Sequence, residues 1–231
     1  MYQLSYFPNN QNVNGVQAYD KDVDALNQHT KADKVYIVCS KEQLDENGSM
    51  KIFSMIDKLS AELSVASDNE TRKRLLMRRA IAHSVLRDFE AAISDFTYYI
   101  SLDDKNSLAY WQRAVCQAEM DEFNKAEGKG VLNIHSAEAD FSDAIRQNSN
   151  NAYIYYNRGN LHAGRNELSK AIDDYTIALR IDNRLAEAYY NRGIARAKSG
   201  NKQTAIQDLS KAGELGLYDA YSVIKRLNKS K

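Results

Sequence analysis

Proline and cysteine are both rare in this sequence. Among 231 residues there is one proline, Pro8, and there are two cysteines, Cys39 and Cys116. Because proline breaks helix interiors, its absence after residue 8 permits long helical tracts. Two cysteines form neither a disulfide framework nor a zinc-type cluster, and whether they pair with each other stays open.

An excess of one charge and long apolar runs are also missing. Lysine plus arginine and aspartate plus glutamate both number 31, so nothing electrostatic favours nucleic acid as a partner. No run of 18 apolar residues is present, and we expect no direct membrane insertion. The first ten residues lack the layout of a signal peptide. The compartment stays open, because a periplasmic or exported location is compatible with a fragment of a longer protein.

A 34-residue repeat dominates what is present. The letters YYNRG begin at Tyr155 and return at Tyr189. In this register four units cover 73–106, 107–151, 152–185 and 186–219, and the second unit carries an insertion near 125–136. Each unit is predicted to be a helix, a turn and a helix, because small residues at fixed places let two helices approach closely. The small residues of the first helices are Ala80, Ala114, Gly159 and Gly193.

The pattern resembles the tetratricopeptide repeat (TPR), with a large residue before the small one and further small residues in the second helix. The small residues of the second helices are Ala92, Ala137, Ala171 and Ala205. The resemblance implies an all-α fold, a right-handed superhelical solenoid of antiparallel helix pairs with a mostly irregular N-terminal segment. The chain looks like the C-terminal part of a bacterial multi-repeat TPR protein.

The regions outside the four units are less regular. Residues 1–48 are expected to be irregular or extended, with the KVYIVCS segment at 34–40 lying on the first helices. Residues 49–72 are predicted to form an unpaired helix and a linker, from their apolar face at helical spacing. Residues 217–231 are predicted to form a C-terminal capping helix, which solenoids need over their last apolar face.

Every unit has an arginine just before the small residue and an aspartate in its second helix. They are Arg79 and Asp95, Arg113 and Asp140, Arg158 and Asp174, and Arg192 and Asp208. Their separation is too large for a pair on one helix, so we predict that they bridge helices, within a unit or to its neighbour. An anion site is the weaker alternative, because an aspartate repeats in step with each arginine.

The TPR resemblance also implies a concave groove, lined by the first helices, that binds partners. Carried over by unit position, the groove residues are Met77, Arg78, Trp111, Gln112, Tyr156, Asn157, Asn160, Tyr190 and Asn191. Amide side chains donate and accept, so they suit a peptide backbone, and large aromatic residues are typical binding hot spots. We expect Trp111, Tyr156 and Tyr190 to be exposed in the groove, with packing between helices as the alternative.

The sequence disfavours two more specific functions. The cations of the carboxylate clamp found in chaperone-binding TPR domains are missing, since the matching positions hold residues such as Met77 and Trp111. No metal, cofactor or catalytic motif is present, and the Gly128-Lys129-Gly130 segment lacks phosphate-loop spacing. The sequence therefore predicts a non-catalytic scaffold that binds a protein or an extended peptide. The alternative is a structural or self-assembly module, a homo-oligomer, within a larger envelope-associated protein.

Overall fold

Ten α-helices make up nearly all of the structure over the residues it describes. These residues, 12–13, 16–17, 46–128 and 134–229, come from a computed structural model. In chain order the helices are α1 (Glu46–Val65), α2 (Asn69–Val85), α3 (Phe89–Leu102), α4 (Ser107–Ala126), α5 (Ile134–Gln147), α6 (Ala152–Gly164), α7 (Leu168–Ile181), α8 (Ala186–Lys198), α9 (Lys202–Glu214) and α10 (Asp219–Lys229). The predicted all-α fold of TPR helix pairs is confirmed.

One short pair of strands precedes the helices. Strands β1 (Asn12–Val13) and β2 (Val16–Gln17) are antiparallel, with Val13 opposite Val16. The two residues between them are Asn14 and Gly15, the pair of residues most typical of a tight hairpin turn. The predicted extended segment at 34–40, including Cys39, lies outside the described residues.

Side-chain caps set where several helices begin. The carboxylate of Asp68 accepts a hydrogen bond from the Thr71 backbone N–H at 2.8 Å, and that of Asp88 accepts from the Ala91 N–H at 3.3 Å. A cap satisfies backbone donors that the first turn leaves without an intrahelical partner. Because Asp68 is such a cap, α2 begins at Asn69, four residues before residue 73, where the first repeat is predicted to start.

The described helices fall into two compact units that separate between Gln147 and Asn148. In the first, α2 packs against α3 and α4 against α5, while α1 packs against α2. The core contains Leu76, Phe96, Ala114 and Phe141, each fully buried. Helix α4 has 20 residues, against 13 in α6 and in α8. Part of the insertion predicted near 125–136 is therefore a helical extension rather than a loop, and residues 129–133 lie outside the described ones.

In the second unit, α6 packs against α7 and α8 packs against α9. Helix α10 lies over the last pair, where Leu209 and Ala212 of α9 form a buried cluster with Ala220 and Val223 of α10. This is the place where the sequence predicts a capping helix. None of the described helices of either unit is long and apolar enough to cross a membrane.

Candidate functional site

The four predicted arginine–aspartate pairs lie within their own repeats. In each, the arginine of the first helix donates through Nε and Nη2 to both oxygens of the aspartate of the second helix. These distances are 2.7–2.9 Å for Arg79–Asp95, Arg113–Asp140, Arg158–Asp174 and Arg192–Asp208. The hydrogen bond with Asp95 raises the pKa of Arg79 against an opposing effect of burial. Such two-point pairing holds the two helices of a repeat at a fixed register.

Three of these arginines also contact the preceding second helix. The third nitrogen, Nη1, donates to a hydroxyl of the previous second helix: Arg79 to Ser60 at 3.0 Å, and Arg113 to Thr97 at 3.0 Å. In the second unit Arg192 donates to Thr176 at 3.1 Å. Arg113, Arg158 and Arg192 also lie 5.6–5.8 Å from the ring centre of the tyrosine three residues earlier. The repeated arginine therefore braces the repeats, and its donors are directed at protein groups rather than at an anion.

The glycines of the two YYNRG segments allow the two helices of a repeat to approach closely. A Cβ added at Gly159 would lie 2.8 Å from Cε1 of Tyr175, and one at Gly193 would lie 2.9 Å from Cγ of Leu209. Tyr175 and Leu209 belong to the second helices of the same repeats and are fully buried. Glycine is needed here because the neighbouring side chain occupies the space that a methyl group would fill.

Asparagine and tyrosine side chains join repeats three and four. Asn191 Nδ2 donates to Asn160 Oδ1 at 2.8 Å and to Tyr156 Oη at 3.2 Å. The Tyr175 hydroxyl donates to Asn160 Oδ1 at 2.7 Å, and the Tyr156 and Tyr175 rings pack 6.0 Å apart. We call Tyr156, Asn157, Asn160 and Asn191 the amide–tyrosine surface. Its side chains lie at the positions that the TPR resemblance assigns to the groove.

The side chains of this surface are buried in the structure. Tyr156 is 2% exposed, Asn157 0%, Asn160 2% and Asn191 7%. Tyr190, by contrast, is half-buried and packs against the cluster under α10. This corrects the predicted open exposure of Tyr156, because its ring packs on Tyr175 and its hydroxyl accepts from Asn191.

The corresponding residues of repeats one and two are also mostly buried. Trp111 is 3% exposed and Met77 is 5% exposed, whereas Arg78 is half-buried. The predicted exposure of Trp111 is therefore corrected in the same way. Gln112 is 1% exposed, and its Nε2 has no hydrogen-bond acceptor in the described part of the chain. Leaving a buried amide donor without an acceptor costs free energy.

The first unit contains a partly buried acid, Glu119, with a raised pKa. Burial raises the pKa of Glu119, on α4, to about 7, although the nearby Arg87 lowers it. Arg87 Nη2 lies 3.5 Å from Glu119 Oε2, and its guanidinium stacks on Phe89 at 5.2 Å. Burial also raises the pKa of Glu122, one turn further along α4. Glu119 was not among the residues predicted from the sequence, because the repeat period does not encode the contacts around it.

Two histidines lie within hydrogen-bond distance of carboxylates in their own repeats. His162 Nδ1 lies 2.7 Å from Glu167 Oε2, and His83 Nδ1 lies 3.0 Å from Asp88 Oδ2. Among the described residues, no three His, Cys, Asp or Glu side chains are grouped as a metal site would require. Cys116, on α4, is fully buried.

Comparisons with known proteins agree with these helix pairs. Residues 163–200 match the model of the TPR repeat family; they cover the second helix of repeat three and the first helix of repeat four. No curated protein matches the chain. A crystal structure of MamA is similar over 77% of this chain and 98% of its own, with a TM-score of 0.62 and 21% identity.

Two other solved structures are described as TPR proteins. The structure of YrrB, "a TPR protein with an unusual peptide-binding site", covers 78% of this chain and 89% of its own, at a TM-score of 0.58 and 16% identity. The structure of TTC0263, a thermophilic TPR protein from Thermus thermophilus, covers 78% of this chain and 94% of its own, at a TM-score of 0.57 and 17% identity. Together with the four helix pairs, these similarities show that the chain has the tetratricopeptide-repeat fold, and residues 163–200 match the model of that repeat.

Proposed function

We propose that this protein binds an extended segment of a partner protein through the first helices of its repeats, without catalysis. The TPR fold is in general a scaffold for protein–protein interaction. The proposal adds which surface of the protein the partner contacts. The amide–tyrosine surface of repeats three and four carries it. In repeats one and two the proposal assigns the same role to Met77, Arg78, Trp111 and Gln112, and in repeat four to Tyr190.

The chemistry of that surface suits a peptide backbone. The hydrogen bonds to Asn160 and Tyr156 use both hydrogens of Asn191 Nδ2 and fix the orientation of the amide. The Asn191 Oδ1 atom then accepts no hydrogen bond within the described residues, so it is oriented to take a backbone N–H. No charged side chain belongs to the amide–tyrosine surface, which favours backbone contacts over ion pairs. The absence of the clamp cations in the sequence agrees with this preference.

A binding assay on the full chain tests the proposal. An array of uncharged synthetic peptides is screened, and the affinity of the best binder is measured by fluorescence anisotropy for the wild type and for Asn191→Ala. We expect roughly fivefold weaker binding by the variant, since a net hydrogen bond contributes about 1 kcal/mol and about 1.4 kcal/mol is tenfold.

The matched control is Asn183→Ala, which removes an exposed asparagine from a loop. It should bind like the wild type, and circular dichroism melts of both variants separate lost binding from lost folding. Equal affinity of Asn191→Ala and wild type would contradict the proposed surface.

Self-assembly is the second candidate function, and exposed apolar residues at the terminal helices favour it. On α1, Met50 is 62% exposed and Phe53 is 57% exposed, while Tyr218 just before α10 is 74% exposed. Side chains of this size are often covered by a partner when they cluster. Sedimentation velocity over a range of concentrations tests this. A mass that rises with concentration, and stays constant when Phe53 and Tyr218 are changed to serine, would favour self-assembly over peptide reception.

A further inference from the structure

Helix α1 occupies the place of a second helix, although no first helix precedes it in the described part of the chain. Ser60 of α1 accepts a hydrogen bond from Nη1 of Arg79 at 3.0 Å, as Thr97 of α3 accepts one from Arg113 at 3.0 Å. Because Ser60 and Thr97 make the same contact with the next first helix, they are equivalent positions. Each residue of α1 is therefore matched to the residue of α3 that lies 37 positions later.

The turn that would join α1 to a first helix is itself helical. In repeat one, residues 86–88 form the turn between α2 and α3. The matching residues 49–51 belong to α1, which begins at Glu46. A first helix joined by the short turn of the other repeats therefore does not fit before α1, and the side that such a helix would cover is left for another partner.

That side of α1 is exposed. Met55 is 38% exposed and Val65 is 81% exposed, while the side chains of Lys58 and Glu62 are 78% and 43% exposed. We call these four residues the open flank of α1. Apolar side chains with a charged rim often mark a protein interaction site. Three of the matching residues of α3 are at most 6% exposed, namely Ala92, Asp95 and Tyr99.

The charge of the open flank disfavours a helix of the repeat's own kind. Lys58 stands where repeat one has Asp95, the carboxylate that pairs with the repeated arginine. An arginine on an incoming first helix would meet this lysine, and like charges brought together at an interface oppose binding. Helix α10 of another copy would bring such an arginine, because Arg226 follows Arg192 by one 34-residue period. Neither a further repeat of this pattern nor head-to-tail stacking of copies suits the open flank.

The open flank is complementary to itself. When two α1 helices lie antiparallel about an axis level with Ser60, residues equally far before and after Ser60 meet. Lys58 then meets Glu62 of the second copy, and Met55 meets Val65 of the second copy, because these residues lie two and five positions from Ser60. Each contact occurs twice, as a two-fold interface requires.

The charges of the open flank are available for this exchange. Within one helix, Lys58 Nζ lies 4.0 Å from Glu62 Oε1, and both side chains are open to solvent. An exposed pair of this kind contributes little to stability. The same two side chains can therefore pair across an interface without the loss of a strong internal contact.

We propose that two copies of this protein associate through the open flanks of their α1 helices, which pack antiparallel. The inference goes beyond the proposed partner-binding surface, which it does not use. It rests on the second candidate function, self-assembly, and gives that function a defined interface. Because one helix pair is a small interface, the dimer should be weak and reversible.

A charge swap in the full chain tests the interface. Lys58→Glu and Glu62→Lys each place like charges at both contacts, so each variant alone should dimerise at least roughly tenfold more weakly than the wild type. In an equal mixture of the two variants opposite charges meet again at both contacts. Sedimentation velocity over a range of concentrations measures each sample, and native mass spectrometry of the mixture identifies the heterodimer. We expect the mixture to dimerise as the wild type does.

The matched control is Asp57→Lys, which makes the same charge change as Glu62→Lys. Asp57 is exposed and points about 100° away from its neighbour Lys58 around the helix. The control should dimerise like the wild type. Circular dichroism of all the variants shows whether α1 keeps its helical content, and the recovery in the mixture separates a lost interface from a lost fold.

Three results would overturn the inference. They are a wild type that is monomeric at every concentration, a mixture that dimerises no better than its two components, and an equal weakening by Asp57→Lys. A mass that rises with concentration equally in the wild type and in Lys58→Glu would leave self-assembly standing through another surface and reject the α1 interface. The peptide assay with Asn191→Ala is unaffected by any of these results, so the proposed function is tested separately.

Discussion

Repeats three and four follow the TPR pattern closely, whereas repeats one and two depart from it in several places. In the second unit the first helices have 13 residues and glycine at the close approach. In the first unit α4 has 20 residues, and Tyr99 stands where the later repeats have Ala178 and Ala212. Arg87 takes a left-handed backbone conformation with φ of 61°, where repeat four has Gly200.

The comparison shows that one repeat scaffold supports two kinds of interior. The regular unit uses its first helices for a neutral network of asparagine and tyrosine. The irregular unit instead places the partly buried Glu119 of α4 beside Arg87, which has a left-handed backbone conformation. Two of these features meet, because Arg87, in the turn after α2, lies 3.5 Å from Glu119 on α4.

Removing Asp208 should have the largest effect on the second unit. It accepts hydrogen bonds from Arg192 at 2.8 and 2.9 Å and from Arg196 at 2.7 Å. Asp208→Ala leaves two partly buried arginines without their carboxylate, and we expect a loss of about 3–5 kcal/mol in the free energy of unfolding. Urea denaturation followed by circular dichroism measures it.

The equivalent variant in the first unit is Asp95→Ala, which leaves only Arg79 without its carboxylate. Its loss should be smaller than that of Asp208→Ala. An equal loss would show that Arg196 adds nothing to the pair in repeat four.

The pH dependence of stability should be specific to the first unit. The folded-state pKa of Glu119, about 7, lies above its ordinary value of 4.5, so the folded state binds the proton more tightly than the unfolded state. Stability contributed by the protonated acid is present below about pH 4.5 and is lost as pH rises through about 7, by up to about 3 kcal/mol.

Glu119→Gln should flatten this slope. The fluorescence of Trp111, the one tryptophan of the chain, follows unfolding of this unit during urea titrations at several pH values. An unchanged slope in the variant would assign the pH dependence to another group.

Gly159→Ala should reveal how tightly the second unit is packed. The added methyl group meets the Tyr175 ring at 2.8 Å, and overpacking of this kind costs about 1–3 kcal/mol. The reverse change in the first unit, Ala114→Gly, should cost only about 1 kcal/mol through helix propensity. Thermal melts compare the two, and a stabilised Gly159→Ala variant would contradict the close approach.

Arg87→Gly should have the smallest effect on stability, below about 1 kcal/mol, because two effects oppose each other. Glycine relieves the left-handed backbone conformation, while the stacking on Phe89 and the contact with Glu119 are lost. Because Arg87 lowers the pKa of Glu119, the variant should move the midpoint of the pH dependence upward. Asn166→Gly, at the equivalent turn of repeat three, should leave that midpoint unchanged.

The repeat pattern predicted the fold because its residues pack in the same way in each copy. The 34-residue period, the small residues and the absence of proline were sufficient for the helix pairs, and the structure places each repeated arginine against its own aspartate. The beginning of α2 was misplaced, since a single cap at Asp68 decides it.

Side-chain exposure was harder to predict than the fold. A position on the groove side of a first helix does not fix whether its side chain is open, as Trp111 and Tyr156 show, because burial depends on contacts that the period does not encode. The raised pKa of Glu119 escaped prediction for the same reason, since one sequence shows a charge but not its surroundings.

The third nitrogen of the repeated arginine has a consequence for how the protein unfolds. Arg113 links Thr97 of one repeat to Asp140 of the next, and Arg192 links Thr176 to Asp208 in the same way. Each guanidinium therefore belongs to two repeats, and a repeat that frays releases a hydrogen bond of its neighbour. Unfolding of one repeat should therefore destabilise its neighbour, so that neighbouring repeats unfold cooperatively.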